Sequence, residues 1–146
     1  VMSLRDGSKK MSKSDESNYS RIDLKDSPDE VVKKIKKAKT DSLPIPDNLK
    51  NLESKPESFN LVNIYSDLIE KTPEKVLDEI KGKEYSFLKN KLTDVLVDKI
   101  CPIGKEIKKL MNDKIYLEKI LKEGREKAGT IAEHNLKEIK NIVGFL

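Results

Sequence analysis

Apolar residues recur at helical spacing along most of this 146-residue chain. Val31, Val32, Ile35 and Ala38 fall on one face of a 3.6-residue period. Ahead of them Ser27 can act as an N-cap, Pro28 takes the first helical position, and Glu30 completes a Ser-x-x-Glu capping box. Residues 40–57 contain Pro44, Pro46 and Pro56 and read as a loop. From about Ser58 to Glu70, Phe59, Leu61, Val62, Ile64, Tyr65, Leu68 and Ile69 predict a strongly apolar helix. Thr72-Pro73-Glu74 starts a short helix that ends before Gly82. Tyr85, Leu88, Leu92, Val95, Leu96 and Ile100 predict the next one, which Pro102 kinks or restarts before Ile103, Ile107, Leu110 and Met111 continue its stripe. Asp113 can cap a final long helix with a stripe through Tyr116, Leu117, Ile120, Leu121, Ala128, Ile131, Leu136, Ile139 and Val143. Gly124 and Gly129 weaken that helix locally.

The first twenty residues follow a different pattern. Val1-Met2-Ser3-Leu4 reads as the end of a short strand, yet no alternating segment later in the chain offers a partner. Residues 5–20, with Gly7 and several serines, show no hydrophobic period and predict a mobile polar loop. A strand end, a polar loop and then helices suggest the later part of a longer protein. The expected division is 1–25 and 26–146. The expected class is mainly α, a helical bundle preceded by a strand end and a flexible basic loop.

Composition narrows the classes further. Charged residues make up 38% and aromatic residues 5% of the chain, so the core has to be aliphatic. No apolar run is long enough to span a bilayer, and no secretory signal is visible at the start. With one cysteine, Cys101, and one histidine, His134, an intramolecular disulfide is impossible and zinc-finger ligand sets are excluded. Cys101 lies in an apolar stripe and reads as packing; His134, between Glu133 and Asn135, reads as a surface residue. Net charge is +3 over 1–42, −3 over 43–98 and +4 over 99–146. Arginine occurs only at Arg5, Arg21 and Arg125, so the cations are otherwise lysines. Two basic ends permit a polyanionic partner, but a lysine-rich solvated surface gives the same arithmetic. Lys105, Lys108 and Lys109 form one such face, open to either reading. Tyr65, Tyr85, Tyr116 and Phe59 fall on apolar stripes and read as core.

Candidate chemistry lies at Lys10-Met11-Ser12-Lys13-Ser14. Two ammonium groups three residues apart, with small side chains between them, can hold a polyphosphate from both sides. Lysine is a compact charge on a long stem, and serine adds N–H and hydroxyl donors for phosphate oxygens. Asp15 and Glu16 read as counterions for these lysines rather than as a metal site.

This stretch, KMSKS, resembles the second signature of class I aminoacyl-tRNA synthetases. The surrounding VMSLRDGSKKMSKSDES, the following KKIKKAKTDS, and GKEYSFLKNKLTDVLVDKICPI with EGREKAGTIAEHNLKEIKNIVGF are similar to bacterial tryptophanyl-tRNA synthetases. The resemblance is weakest over 43–57. It implies that the loop ends a Rossmann-like catalytic domain otherwise absent from this chain, and that residues 26–146 form the anticodon-side helical domain. Lys10 and Lys13 then correspond to the signature lysines that act on the phosphates of ATP. Val1 matches a strand position lining the adenine pocket, the Met11 backbone lies near adenine, and Ser12 and Ser14 complete the phosphate loop. The implied partners are ATP with Mg²⁺, tryptophan, tRNA(Trp) and a second subunit, in the cytoplasm. The first signature, of His-Ile-Gly-His type, and the tryptophan pocket are expected upstream; His134 cannot serve as that signature. A tyrosyl sibling shares the architecture, and a non-catalytic helical nucleic-acid-binding module is the reading from another class.

Overall fold

The computed structural model describes residues 1–145; Leu146, the last residue of the expected helical domain, lies outside them. Among the described residues six α-helices carry most of the chain: α1 (Pro28–Lys37), α2 (Leu49–Glu53), α3 (Pro56–Leu68), α4 (Pro73–Ile80), α5 (Tyr85–Asn112) and α6 (Lys114–Val143). A single 3-10 turn, Asn18–Ser20, precedes them. Two compact units result, Val1–Lys105 and Glu106–Leu146.

Local chemistry explains where most helices begin. The Ser27 hydroxyl accepts the Glu30 N–H while the Glu30 carboxylate accepts the Ser27 N–H at 2.7 Å, which completes the capping box of α1. Thr72 caps α4 through the Lys75 N–H, and Asp113 caps α6 through the Tyr116 N–H at 2.9 Å. The predicted loop over 40–57 is shorter than expected. Asn48 accepts the Asn51 N–H at 2.9 Å and so starts α2. Pro56 occupies the first turn of α3, where a missing N–H costs nothing, so this proline opens a helix. Pro102 lies inside α5, which runs unbroken on both sides of it.

In the first unit, Leu4, Val31, Ile35, Leu52, Leu61, Val62, Val76, Leu88 and Leu92 are sealed from solvent in one aliphatic core, with Tyr65 and Tyr85 at its margin. Cys101 is buried there as a free thiol, as expected of a packing residue. Gly104 permits close approach of α5 to the chain after the loop: a Cβ there would collide with the Leu24 carbonyl oxygen. The second unit buries no residue of α6. Tyr116, expected in the core, is 47% exposed, and Ile120, Leu121, Ile131 and Ile139 are exposed with it. The stripe is real, but among the described residues of this unit no second apolar surface covers it. No helix is long and apolar enough to cross a membrane among the described residues.

Candidate functional site

The strand end at residues 1–4 does have a partner, and that partner is the start of the KMSKS stretch. Met2 and Lys10 form an isolated antiparallel bridge. The Ser3 N–H donates to the Lys9 carbonyl at 2.8 Å, and the Met11 N–H to the Val1 carbonyl at 3.3 Å. A tight turn joins the two arms. The Asp6 carboxylate accepts the Ser8 hydroxyl at 2.6 Å and the Ser8 N–H at 3.1 Å, and the Lys9 N–H donates to the Asp6 carbonyl. These Ser8 bonds, with Lys9 ion-paired at 3.4 Å, hold the Asp6 carboxyl below its ordinary pKa.

Several contacts seat this hairpin on the helices of the first unit. The Leu4 N–H donates to the Ser20 carbonyl at 2.9 Å, and the Leu4 carbonyl accepts the Lys39 N–H at 2.8 Å. The Arg5 guanidinium donates to the Lys37 carbonyl at 2.7 Å, at the C-terminal end of α1. Gly7 lies directly on the first turn of α3, where a Cβ would collide with the Pro56 carbonyl carbon and the Glu57 nitrogen. The Lys39 ammonium donates to Glu57 at 2.7 Å, which holds the Glu57 carboxyl low and the Lys39 ammonium high. Asn60, from α3, hydrogen-bonds Met2 through both ends of its amide.

Beyond the hairpin the loop turns outward. Lys10 and Lys13 are exposed, and neither pairs with a carboxylate among the described residues. The Ser12 and Ser14 hydroxyls lie 2.9 Å apart, and Ser12 Oγ accepts the Ser14 N–H at 3.2 Å, which curls the backbone around Lys13. Met11 is half-buried against the core, and Val1 is exposed. Asp15 and Glu16 do not act as the expected counterions. The Asp15 carboxylate instead accepts the Ser17 N–H at 2.8 Å, and Glu16 makes no ion pair among the described residues. The loop ends at Arg21, whose guanidinium reaches the Asp15 carbonyl at 3.0 Å and Asn18 at 2.7 Å. Lys34, buried on α1, takes Asp26 at 2.6 Å and Asp23 at 3.7 Å, so the chain is pinned again directly after the loop.

The set of groups offered outward is therefore two free ammoniums and a pair of mutually hydrogen-bonded hydroxyls, which suits phosphate oxygens. No group of three or more His, Cys, Asp or Glu able to hold a metal comes together among the described residues. This donor set does not fit a protein-held Mg²⁺. His134 is exposed on α6 and lies 3.5 Å from Glu138, and Lys109 lies 3.3 Å from Glu106.

Asn60, Gly7 and Lys34 are site-supporting residues that the periodicity did not single out. A signal for Asn60 and Ser58 was present: α3 is apolar on most of its circumference, so a polar residue within it falls at a buried position and needs a partner.

The hairpin and the loop that follows it lie inside the segment that a known protein family covers. The model of the family described as tRNA synthetases class I (W and Y) matches residues 1–100, and the chain belongs to that family. Relatives named tryptophan–tRNA ligase from Mesorhizobium japonicum and Brucella melitensis are each 47% identical over the whole of this chain, which spans 41% of their length. The crystal structure of tryptophanyl-tRNA synthetase from Mycoplasma pneumoniae matches with a TM-score of 0.77 at 27% identity, over 99% of this chain and 43% of that one.

Proposed function

We propose that this chain supplies the ATP-phosphate loop and the helical tRNA-side portion of a tryptophan–tRNA ligase. The observation that carries the reading is the state of Lys10 and Lys13. Both are exposed and unpaired on a loop pinned at both ends, while nearby Lys9, Lys34 and Lys39 are all engaged by carboxylates. The relatives of that name, similar over the full chain, support tryptophan as the amino acid. Residues 1–25 belong with the catalytic domain on this reading, and the helices from Ser27 onward form the tRNA-side domain. The full enzyme is a cytoplasmic homodimer.

In the first step an oxygen of the tryptophan carboxylate bonds to the α-phosphorus of ATP. The α–β anhydride bond breaks, and its electron pair leaves on pyrophosphate. Lys10 and Lys13 neutralise charge as it grows on that leaving group, and the Ser12–Ser14 hydroxyl pair orients its oxygens. In the second step a terminal ribose hydroxyl of tRNA attacks the adenylate carbonyl, AMP leaves, and the hydroxyl proton is released. Magnesium accompanies ATP in this reading, and no step depends on its being held by this chain.

The test is a chimera in which residues 1–146 replace the aligned segment of the Mesorhizobium japonicum relative. Tryptophan-dependent ATP–pyrophosphate exchange is expected. Lys13→Ala should lower the activation rate constant about 10²–10³-fold, with little change in the KM for tryptophan. Lys33→Ala is the control, since Lys33 is exposed on α1 outside the loop. Lys34 cannot serve in that role, because its ammonium is buried in an ion pair. An inactive chimera, or equal losses from Lys13→Ala and Lys33→Ala, would overturn the reading.

A further inference from the structure

The geometry points to Asn60 as a positioning residue for the Lys10–Ser14 loop, acting through the Met2–Lys10 bridge. This inference rests on the phosphate role proposed above. In the bridge, hydrogen bonds join Ser3 to Lys9 and Met11 to Val1, so Met2 and Lys10 are a non-hydrogen-bonded pair. In such a pair the N–H and C=O of each residue point away from the other arm. Those of Met2 therefore face α3, and Asn60 takes both. Its Oδ1 accepts the Met2 N–H at 2.9 Å, and its Nδ2 donates to the Met2 carbonyl at 2.9 Å and, more weakly, to the Ser3 carbonyl at 3.5 Å.

The side-chain amide stands where the backbone of a third strand would stand, with one acceptor and one donor turned to a single residue. Asn60 is only 4% exposed, so neither half of the exchange can be replaced freely by water. Sliding residues 1–4 by one position would break both bonds and turn Leu4 out of the core, so the amide fixes the register. Register here means the height at which Lys10 leaves the hairpin, and with it the starting point of the loop that carries Lys13. Gly7 adds to this seating on the same helix, since only a residue without Cβ fits against Pro56 and Glu57. A misplacement of about 1 Å in a positioned group can cost on the order of 10²-fold in rate.

Two measurements test this. In the chimera, Asn60→Leu should lower the activation rate constant about 10- to 100-fold and raise the KM for ATP. The KM for tryptophan should stay within about twofold. In a Lys13→Ala background the same substitution should cost less than about threefold, because misplacing an ammonium already removed loses little. A residue that only stabilises the fold would give losses that multiply, as would the core control Val76→Ala, and multiplying losses would overturn the proposal. If Asn60→Leu does not fold, Asn60→Asp replaces it in the same cycle. It keeps the acceptor for the Met2 N–H and loses the donor. Independently of activity, hydrogen exchange of the Ser3 and Met11 amides in the 146-residue chain should speed up at least tenfold in the variant, relative to amides of α4. Unchanged exchange there would overturn the positioning role. An inactive parent chimera would instead count against the ligase reading, leaving the exchange result to decide the role of Asn60.

Discussion

Leu88 and Leu92 on α5 are fully sealed from solvent, whereas Ile120 and Ile131 on α6 are 46% and 64% exposed. Both pairs belong to helical apolar stripes of similar quality. In residues 1–105 the stripes of α1, α3, α4 and α5 close on one another around an aliphatic core. In residues 106–145 the stripe of α6 meets no second stripe, and the helix is held by local devices. Asp113 caps its start, Gly144 in the left-handed conformation (φ 78°) ends it, and Lys119 and Glu123 pair one turn apart along it. The difference teaches that periodicity defines a face, while burial requires another surface for that face to meet.

The sharpest way to break the comparison is truncation on each side. Leu88→Ala should destabilise the first unit by about 2–5 kcal/mol, from lost transfer energy and a cavity among rigid neighbours. Ile131→Ala should change stability in the 146-residue chain by no more than about 0.5 kcal/mol, as at an ordinary surface position. Urea denaturation followed by circular dichroism measures both. Comparable losses at the two sites would mean that α6 packs on an apolar surface after all.

Glycine substitutions give the two regions opposite signs. A Cβ at Gly104 would strike the Leu24 carbonyl oxygen, which is main chain and cannot rotate aside, so Gly104→Ala should cost about 1–3 kcal/mol. Gly124 and Gly129 stand in the interior of α6, and a Cβ there meets nothing within 4 Å. Each replacement by alanine should stabilise the helix by about 0.5–1 kcal/mol. Thermal melts monitored by far-ultraviolet circular dichroism would show the reversal. A loss of helix stability on Gly124→Ala would show that its surroundings are closed.

What was legible in the sequence divides along the range of the interaction. The starts of α1, α4 and α6 were readable because Ser27, Thr72 and Asp113 bond three residues ahead, a distance the sequence itself displays. α3 starts two residues before the expected Ser58, because Pro56, which reads as a breaker, occupies the first-turn position where proline is favoured. The KMSKS lysines were visible as a local cluster. The contact that seats them was not, since Asn60 and Met2 are 58 residues apart and nothing in either neighbourhood names the other. The counterion role given to Asp15 failed for a related reason: adjacency suggested pairing with lysine, but the Ser17 N–H two residues on satisfies the carboxylate without any side-chain ordering cost. Tyr116 is exposed because a helical stripe defines a face without supplying the surface that covers it.

The smallest expected effect is a pH dependence centred on Glu57, where the hairpin turn, α3 and the end of α1 come together. The Lys39 ammonium is the main cause of the lowered Glu57 pKa, and the α3 and Gly7 N–H groups add to it. A carboxyl with a folded pKa below its unfolded value binds fewer protons in the native state. Its stabilisation is therefore complete above the unfolded carboxyl value, about pH 4.3, and is lost as pH falls through the lower folded value. Asp41, held low by Lys55, acts in the same direction in the same unit. Glu57→Gln removes the first contribution and leaves the second. Between about pH 5 and pH 3 the variant should therefore lose less stability than the parent, while being slightly less stable at pH 7. The contact is half-open to water and screened, so the difference should also shrink as salt is raised toward 1 M. Denaturant midpoints at pH 7, 5, 4 and 3, each at low and high salt, would measure it. A parent and a variant with parallel acid profiles would show that the Lys39–Glu57 pair contributes nothing to seating the hairpin, leaving that task to Gly7 and Asn60.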